Sequence, residues 1–287
     1  FRAGLEHLGA GTDSDEAAIR ILRALTQRSG SGVDVWSDTL MYDQYLAVVL
    51  AYRGHLHEAF AADRRLLLDP NASPYSAFAD PFRNLALFGA IPDSLAAAHF
   101  GLALRSSKPW SSGGRPLWGL PWWLARRDTA SLKGFALRAR REAVRHGEGE
   151  AQLRNRYYHA AATAYLALAR ADSAQALRLF QAIPDTLCTV ADCYFEQLTE
   201  ARVLNGLGQA RQAGDVLDRW LWIGGGPSYV LGVLERGRLA EKLGDKKKAK
   251  QSYQFVIDVW RRADPELQAY VEEARNALAR LTKEEAR

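Results

Sequence analysis

Small residues recur along this 287-residue chain at offsets that suit pairs of antiparallel helices crossing at close range. Counting from Gly244, position −7 is Gly237, +5 is Ala249, +9 is Tyr253 and +12 is Val256. The same offsets from Gly208 give Ala201, Ala213, Leu217 and Trp220; from Ala171 they give Ala164, Ala176, Phe180 and Ile183. Gly54 gives Ala47, Ala59, Asp63 and Leu66. Small side chains on either side of a tight turn let two helices approach closely, and the later apolar residues fall on the buried stripe of the second helix.

Weaker copies place turns at Gly89 in "LFGAIPDSLAAAHF", where Pro92 would open the next helix, and at Arg127 in "WLARRDTASLKGFAL". Successive turns are then 35, 38, 44, 37 and 36 residues apart, a period expected of stacked helical hairpins. A further unit is expected after Gly11, where "TDSDEAAIRIL" supplies Thr, Ser and Asp suited to a helix start. Apolar–polar alternation is rare, whereas "EAAIRILRALTQR" and "PELQAYVEEARNALARL" carry the three-to-four spacing of amphipathic helices. The expected fold is all-α, an α-α superhelix of about seven hairpins forming one domain over 1–287. "LDPNASP", "KPWSSGGRP" and "IGGGP" are read as punctuation between hairpins, too short for interdomain linkers.

With 48% apolar and 10% aromatic residues the chain can bury a core, and its mixed charges suit a wet surface. The net charge of +5 spreads over 38 basic and 33 acidic residues, too mild to imply a polyanion, so no nucleic-acid partner is expected. Nor does any run approach the roughly 20 apolar residues of a membrane span. The start at Phe1, in what reads as the middle of a helical pattern, suggests that sequence precedes it, and an upstream membrane helix is compatible with the chain.

Motifs for chemistry are sparse. Gly224, Gly225 and Gly226 are followed by no Gly-Lys-Ser/Thr and preceded by no strand, so they read as a loop. "HLHEAF" groups His55, His57 and Glu58, yet the fourth residue after His57 is Ala61, so the two-histidine helical zinc arrangement is absent. Lys246, Lys247 and Lys248 follow Gly244-Asp245 and read as a solvated first helical turn, with Asp245 partly offsetting their unfavourable position at the positive end of the helix. No nucleophile stands beside a base. The chain is read as having no enzymatic activity, cofactor or metal.

Cys188 and Cys193, in "LCTVADCYF", are the only cysteines. They are either two small buried thiols or a short disulfide across a turn, with Asp192 placed to cap the helix that follows. The disulfide is the reading adopted, and it implies an oxidising compartment.

"AYRGHLHEAFAADRRLLLDP" and "LERGRLAEKLGDKKKAKQSYQFVIDVWRRADPEL" resemble tetratricopeptide repeats. The last third also resembles the repeat region of bacterial serine/threonine-kinase signalling proteins, in which a kinase and a membrane helix precede the repeats. The chain contains no Gly-rich kinase loop, His-Arg-Asp or Asp-Phe-Gly motif, so the resemblance implies the repeat scaffold and no kinase activity. It implies a scaffold or sensor that binds a protein or peptide on its concave face, and an extracytoplasmic location, periplasmic or at the cell surface. Groove candidates by position are Tyr158, Tyr165, Arg202, Asn205, Arg238 and Glu241. The alternative is a structural subunit of an extracellular filament or ring, self-associating end to end through Phe1, Leu5 and Leu8, so that its partner is another copy of itself.

Overall fold

The computed structural model describes residues 12–28, 38–68, 80–105, 119–145, 149–184, 193–219 and 226–285. Their regular structure is helical throughout, with fourteen helices and no strand among the described residues. In chain order these are α1 (Thr12–Arg28), α2 (Asp38–Tyr52), α3 (Leu56–Leu68), α4 (Asp80–Leu87), α5 (Asp93–Arg105), α6 (Leu120–Ala125) and α7 (Thr129–Arg145). They are followed by α8 (Glu150–Ala169), α9 (Ser173–Gln181), α10 (Cys193–Gly206), α11 (Ala210–Asp218), α12 (Pro227–Lys242), α13 (Lys246–Val259) and α14 (Pro265–Glu285).

Every turn expected from the repeat is a point where the backbone turns left-handed: φ is 81° at Gly54, 75° at Gly89, 51° at Arg127, 63° at Ala171, 81° at Gly208 and 82° at Gly244. The closure is the same each time. The N–H of Gly244 donates to Glu241 O and that of Asp245 to Ala240 O; Gly54 and His55 repeat the pair onto Ala51 and Leu50. This pair of hydrogen bonds satisfies carbonyls that a helix end would otherwise leave bare. The residue after the turn then starts the next helix: Asp128, Asp172 and Asp245 accept from the backbone N–H of Ser131, Gln175 and Lys248 at 2.9, 2.9 and 3.0 Å. The Lys246–Lys248 run therefore lies in a capped first turn, with Lys246 Nζ 2.9 Å from Glu284. After Gly89 the next helix starts later, where the carbonyl of Pro92 accepts from Ala96 N–H.

Arg127 and Ala171 occupy conformations that suit glycine. Ala171→Gly is expected to stabilise the protein by about 1 kcal/mol by relieving the left-handed strain. A urea midpoint below that of the parent would refute this.

Ala59, Ala176, Ala213 and Ala249 are fully buried, as are Ala47, Ala164 and Ala201 across the turns. A Cβ on Gly237 would stand 3.0 Å from the Tyr253 ring, so α12 and α13 are in close contact there. Ala249→Leu should overpack this crossing and cost about 1 to 3 kcal/mol in chemical denaturation. Tolerance like that of a surface site would mean the crossing is looser than described.

The chain divides into two compact units: Phe1–Ala72, Phe78–Ile91 and Leu221–Arg287 form the first, Ser73–Ala77 and Pro92–Trp220 the second. In the second unit α6–α7, α8–α9 and α10–α11 pack as successive hairpins. Aromatic pairs fill its core, with ring centroids 5.4 Å apart for Phe100–Trp122 and 5.7 Å for both Trp123–Phe135 and Tyr165–Phe180. Between α8 and α10, Tyr157 donates to Glu196 at 2.5 Å, and the Tyr165 and Thr199 hydroxyls lie 3.1 Å apart.

In the first unit the last hairpins pack on the early ones, a junction that the hairpin-after-hairpin sequence reading does not anticipate. Trp260, fully buried at the end of α13, donates its indole N–H to Tyr52 O at 3.0 Å. Phe88 and Tyr270 close around it, with centroids 6.1 to 6.4 Å apart within the triad. Asp264 N–H donates to Gly54 O at 2.9 Å. Ser228 donates to Asn84, joining α12 to α4, and both side chains are buried.

Candidate functional site

Helices α9 and α11 are the second members of consecutive hairpins in the second unit, and each has nine residues, against fourteen in α13. Where these short helices stop, the side chains of the described residues leave space between the hairpins. A cleft of about 700 Å³ opens there, in the size range of small-ligand and side-chain pockets.

Phe180, Ile183, Leu204 and Val216 line the cleft together with Pro184. Phe180, Leu204 and Val216 are 4% exposed or less, so the packed core holds this floor in shape. Polar groups at the cleft are Gln181, Glu200, Gln212, Asp215 and Arg219. Two carboxylates against one guanidinium give it a net negative character. The glutamine amides can each donate to and accept from a peptide backbone. The arrangement thus offers a small apolar floor, amide hydrogen bonding and an anionic edge. It suits an extended segment carrying an apolar side chain next to a basic one.

Of the positions nominated from sequence, Arg202 and Asn205 share α10 with the lining residues Glu200 and Leu204, and Tyr165 on α8 packs against the lining residue Phe180. Asn205 follows the lining residue Leu204 and is half-buried, while Arg202 is exposed on the side of α10 away from Glu200 and Leu204. Tyr158 and Tyr165 correct the expectation of a groove surface: they are 1% and 0% exposed, packed in the core of the second unit. Their helix, α8, is covered by α6, α7 and α9, which leaves those positions no open face.

Arg238 and Glu241 belong to the first unit and are engaged there. The Arg238 guanidinium grips both oxygens of Glu273 at 2.6 Å and donates to Glu235 at 2.7 Å. Hydrogen bonding to Glu273 raises its pKa above the usual arginine value despite burial. Glu241 accepts from Tyr253 and Arg280, each at 2.7 Å. Burial works against its charge, but the bonds from Arg280 and Tyr253 outweigh it and hold the carboxyl below its ordinary range. Burial first, and then the bond to Glu241, pushes the Tyr253 phenol up. These two residues brace α12 against α13 and α14.

Phe1, Leu5, Leu8 and Cys188 lie outside the described residues. Cys193 begins α10, with its side chain outside them as well, and the proposed Cys188–Cys193 disulfide therefore also lies outside. The residues lining the cleft were missed from sequence. The shortness of α9, readable in the early "IPDT" break after its turn, is the signal that could have found them. Compared with models of known protein families and with curated proteins, the chain matches none. No helix among the described residues is long and apolar enough to cross a membrane.

Proposed function

We propose that this chain is a non-catalytic binding module, a tetratricopeptide-like solenoid that acts as a scaffold or sensor for a protein or peptide. The cleft among α9, α10 and α11 carries the reading, because it joins a fixed apolar floor to amide and carboxylate groups on rigid elements. The partner segment is extended, with an apolar side chain for the Phe180–Leu204–Val216 floor and a basic one for Glu200 and Asp215. The repeated left-handed closures and buried alanine crossings support the solenoid part of the proposal.

A random peptide library displayed on phage and selected on the immobilised full chain tests it. Enriched peptides should pair an apolar with a basic residue and should bind Asp215→Lys at least tenfold more weakly by fluorescence anisotropy, with an unchanged melting temperature. Failure to enrich any sequence, or equal binding to the variant, overturns the proposal.

An extracytoplasmic location is part of the same proposal and rests on Cys188 and Cys193. Mass spectrometry after alkylation without reduction should find neither cysteine alkylated. Two added alkyl groups would show free thiols and withdraw that location. Loss of so short a loop closure should cost at most about 3 kcal/mol.

A further inference from the structure

His57 has no second histidine one helical turn on, where Ala61 stands. Tertiary packing supplies other donors. The first turn of α3 presents His57, and the segment entering α14, "RADPEL", presents Asp264 and Glu266, more than 200 residues further along the chain. His57 N–H donates to Asp264 Oδ2 at 2.9 Å, and His57 Nε2 lies 2.8 Å from Glu266 Oε1. One donor atom from each of the three side chains lies within 4.8 Å of the other two. Tetrahedral coordination with bonds of about 2.0 to 2.1 Å needs donors about 3.3 Å apart, so small side-chain rotations suffice.

A second observation concerns Glu266, whose side chain is 25% exposed while one of its oxygens is not. Glu266 Oε2 is buried and has no hydrogen-bond partner. A carboxylate oxygen withdrawn from water without a donor is costly, and in native proteins such an atom calls for an unseen water or ion. Nearby guanidiniums are directed elsewhere: Arg261 and Arg262 approach Glu16 at 3.2 and 3.7 Å, and Arg23 pairs with Glu58. Two carboxylates thus face one imidazole. The backbone beneath them is fixed, because Asp264 N–H is bonded to Gly54 O and Trp260 is anchored on Tyr52 O.

We propose that His57, Asp264 and Glu266 form a binding site for a divalent transition-metal ion, Zn²⁺ in the first instance, which clips the start of α14 to the α2–α3 hairpin. One imidazole with two carboxylates selects a borderline ion such as Zn²⁺ over Ca²⁺ or Mg²⁺, which favour all-oxygen sites. Three protein ligands leave one tetrahedral position to water. The site is separate from the cleft in the second unit, and its test does not depend on peptide binding.

Titration calorimetry of the full chain with ZnCl₂ in chelator-free buffer decides the matter. One saturable equivalent is expected, with a rise in melting temperature that EDTA reverses. His57→Gln and Glu266→Gln should each weaken binding at least tenfold, whereas Cys188→Ser/Cys193→Ser should bind as the parent does. Absence of saturable binding, equal affinity in His57→Gln, or loss of binding in the cysteine variant would overturn the site. Should the His57 variant fail to fold, the parent's assigned His57 ring resonances decide: a Zn²⁺-dependent shift supports the site and its absence overturns it.

Discussion

Gly54→Ala is expected to destabilise the protein by about 2 to 4 kcal/mol, well beyond the cost of the same change at Gly208. Both glycines have φ of +81°, so the left-handed strain of about 1 to 2 kcal/mol is common to the two. Their surroundings differ. A Cβ at Gly208 meets nothing within 4 Å, whereas at Gly54 it would stand 2.5 Å from Ala263 Cβ and 3.0 Å from Leu267. Ala263 cannot retreat easily, because the next residue, Asp264, is bonded through its N–H to Gly54 O. The comparison of urea midpoints for the two variants measures the junction between the last hairpins and the α2–α3 turn. Equal costs would show that this junction is not closed in solution.

Trp260→Ala should remove about 3 to 5 kcal/mol, the usual range for emptying a fully buried tryptophan site. The indole fills the space bounded by Phe88, Tyr270 and the end of α2, and its N–H is the donor for Tyr52 O. Deletion leaves both a cavity and a carbonyl without that donor. Trp260→Phe keeps most of the ring contact and loses the donor alone, so a smaller cost of about 1 to 3 kcal/mol is expected. Hydrogen exchange should localise the loss: amides of α2 and α14 should lose protection together in Trp260→Ala, while those of α9 to α11 should not. Protection lost uniformly, or α2 unaffected, would contradict the anchoring role assigned to Trp260.

The groove candidates show how far a repeat register reads. Offsets from the turns identify the positions that meet the partner helix, and Ala59, Ala176, Ala213 and Ala249 are buried as those offsets require. The same offsets say nothing of what covers the opposite face. Tyr158 and Tyr165 stand on a twenty-residue helix flanked by several others, so aromatic residues that repeat logic assigns to a groove became core. The cleft formed instead where helices end, and the length of a helix depends on a few residues after the turn rather than on the repeat itself.

Sequence alone determined the helical class and the six turns, because each turn is closed by hydrogen bonds within six consecutive residues and needs only a residue that can be left-handed, followed by a helix start. It also determined the crossings, since a small side chain a fixed number of residues from a turn has one neighbour helix to meet. Tertiary structure decided which distant segments became neighbours. The meeting of "HLHEAF" with "RADPEL", and with it the convergence of His57, Asp264 and Glu266, depends on how hairpins rotate against one another. Those rotations come from side-chain packing summed over many contacts between segments far apart in the chain, and no local pattern records them.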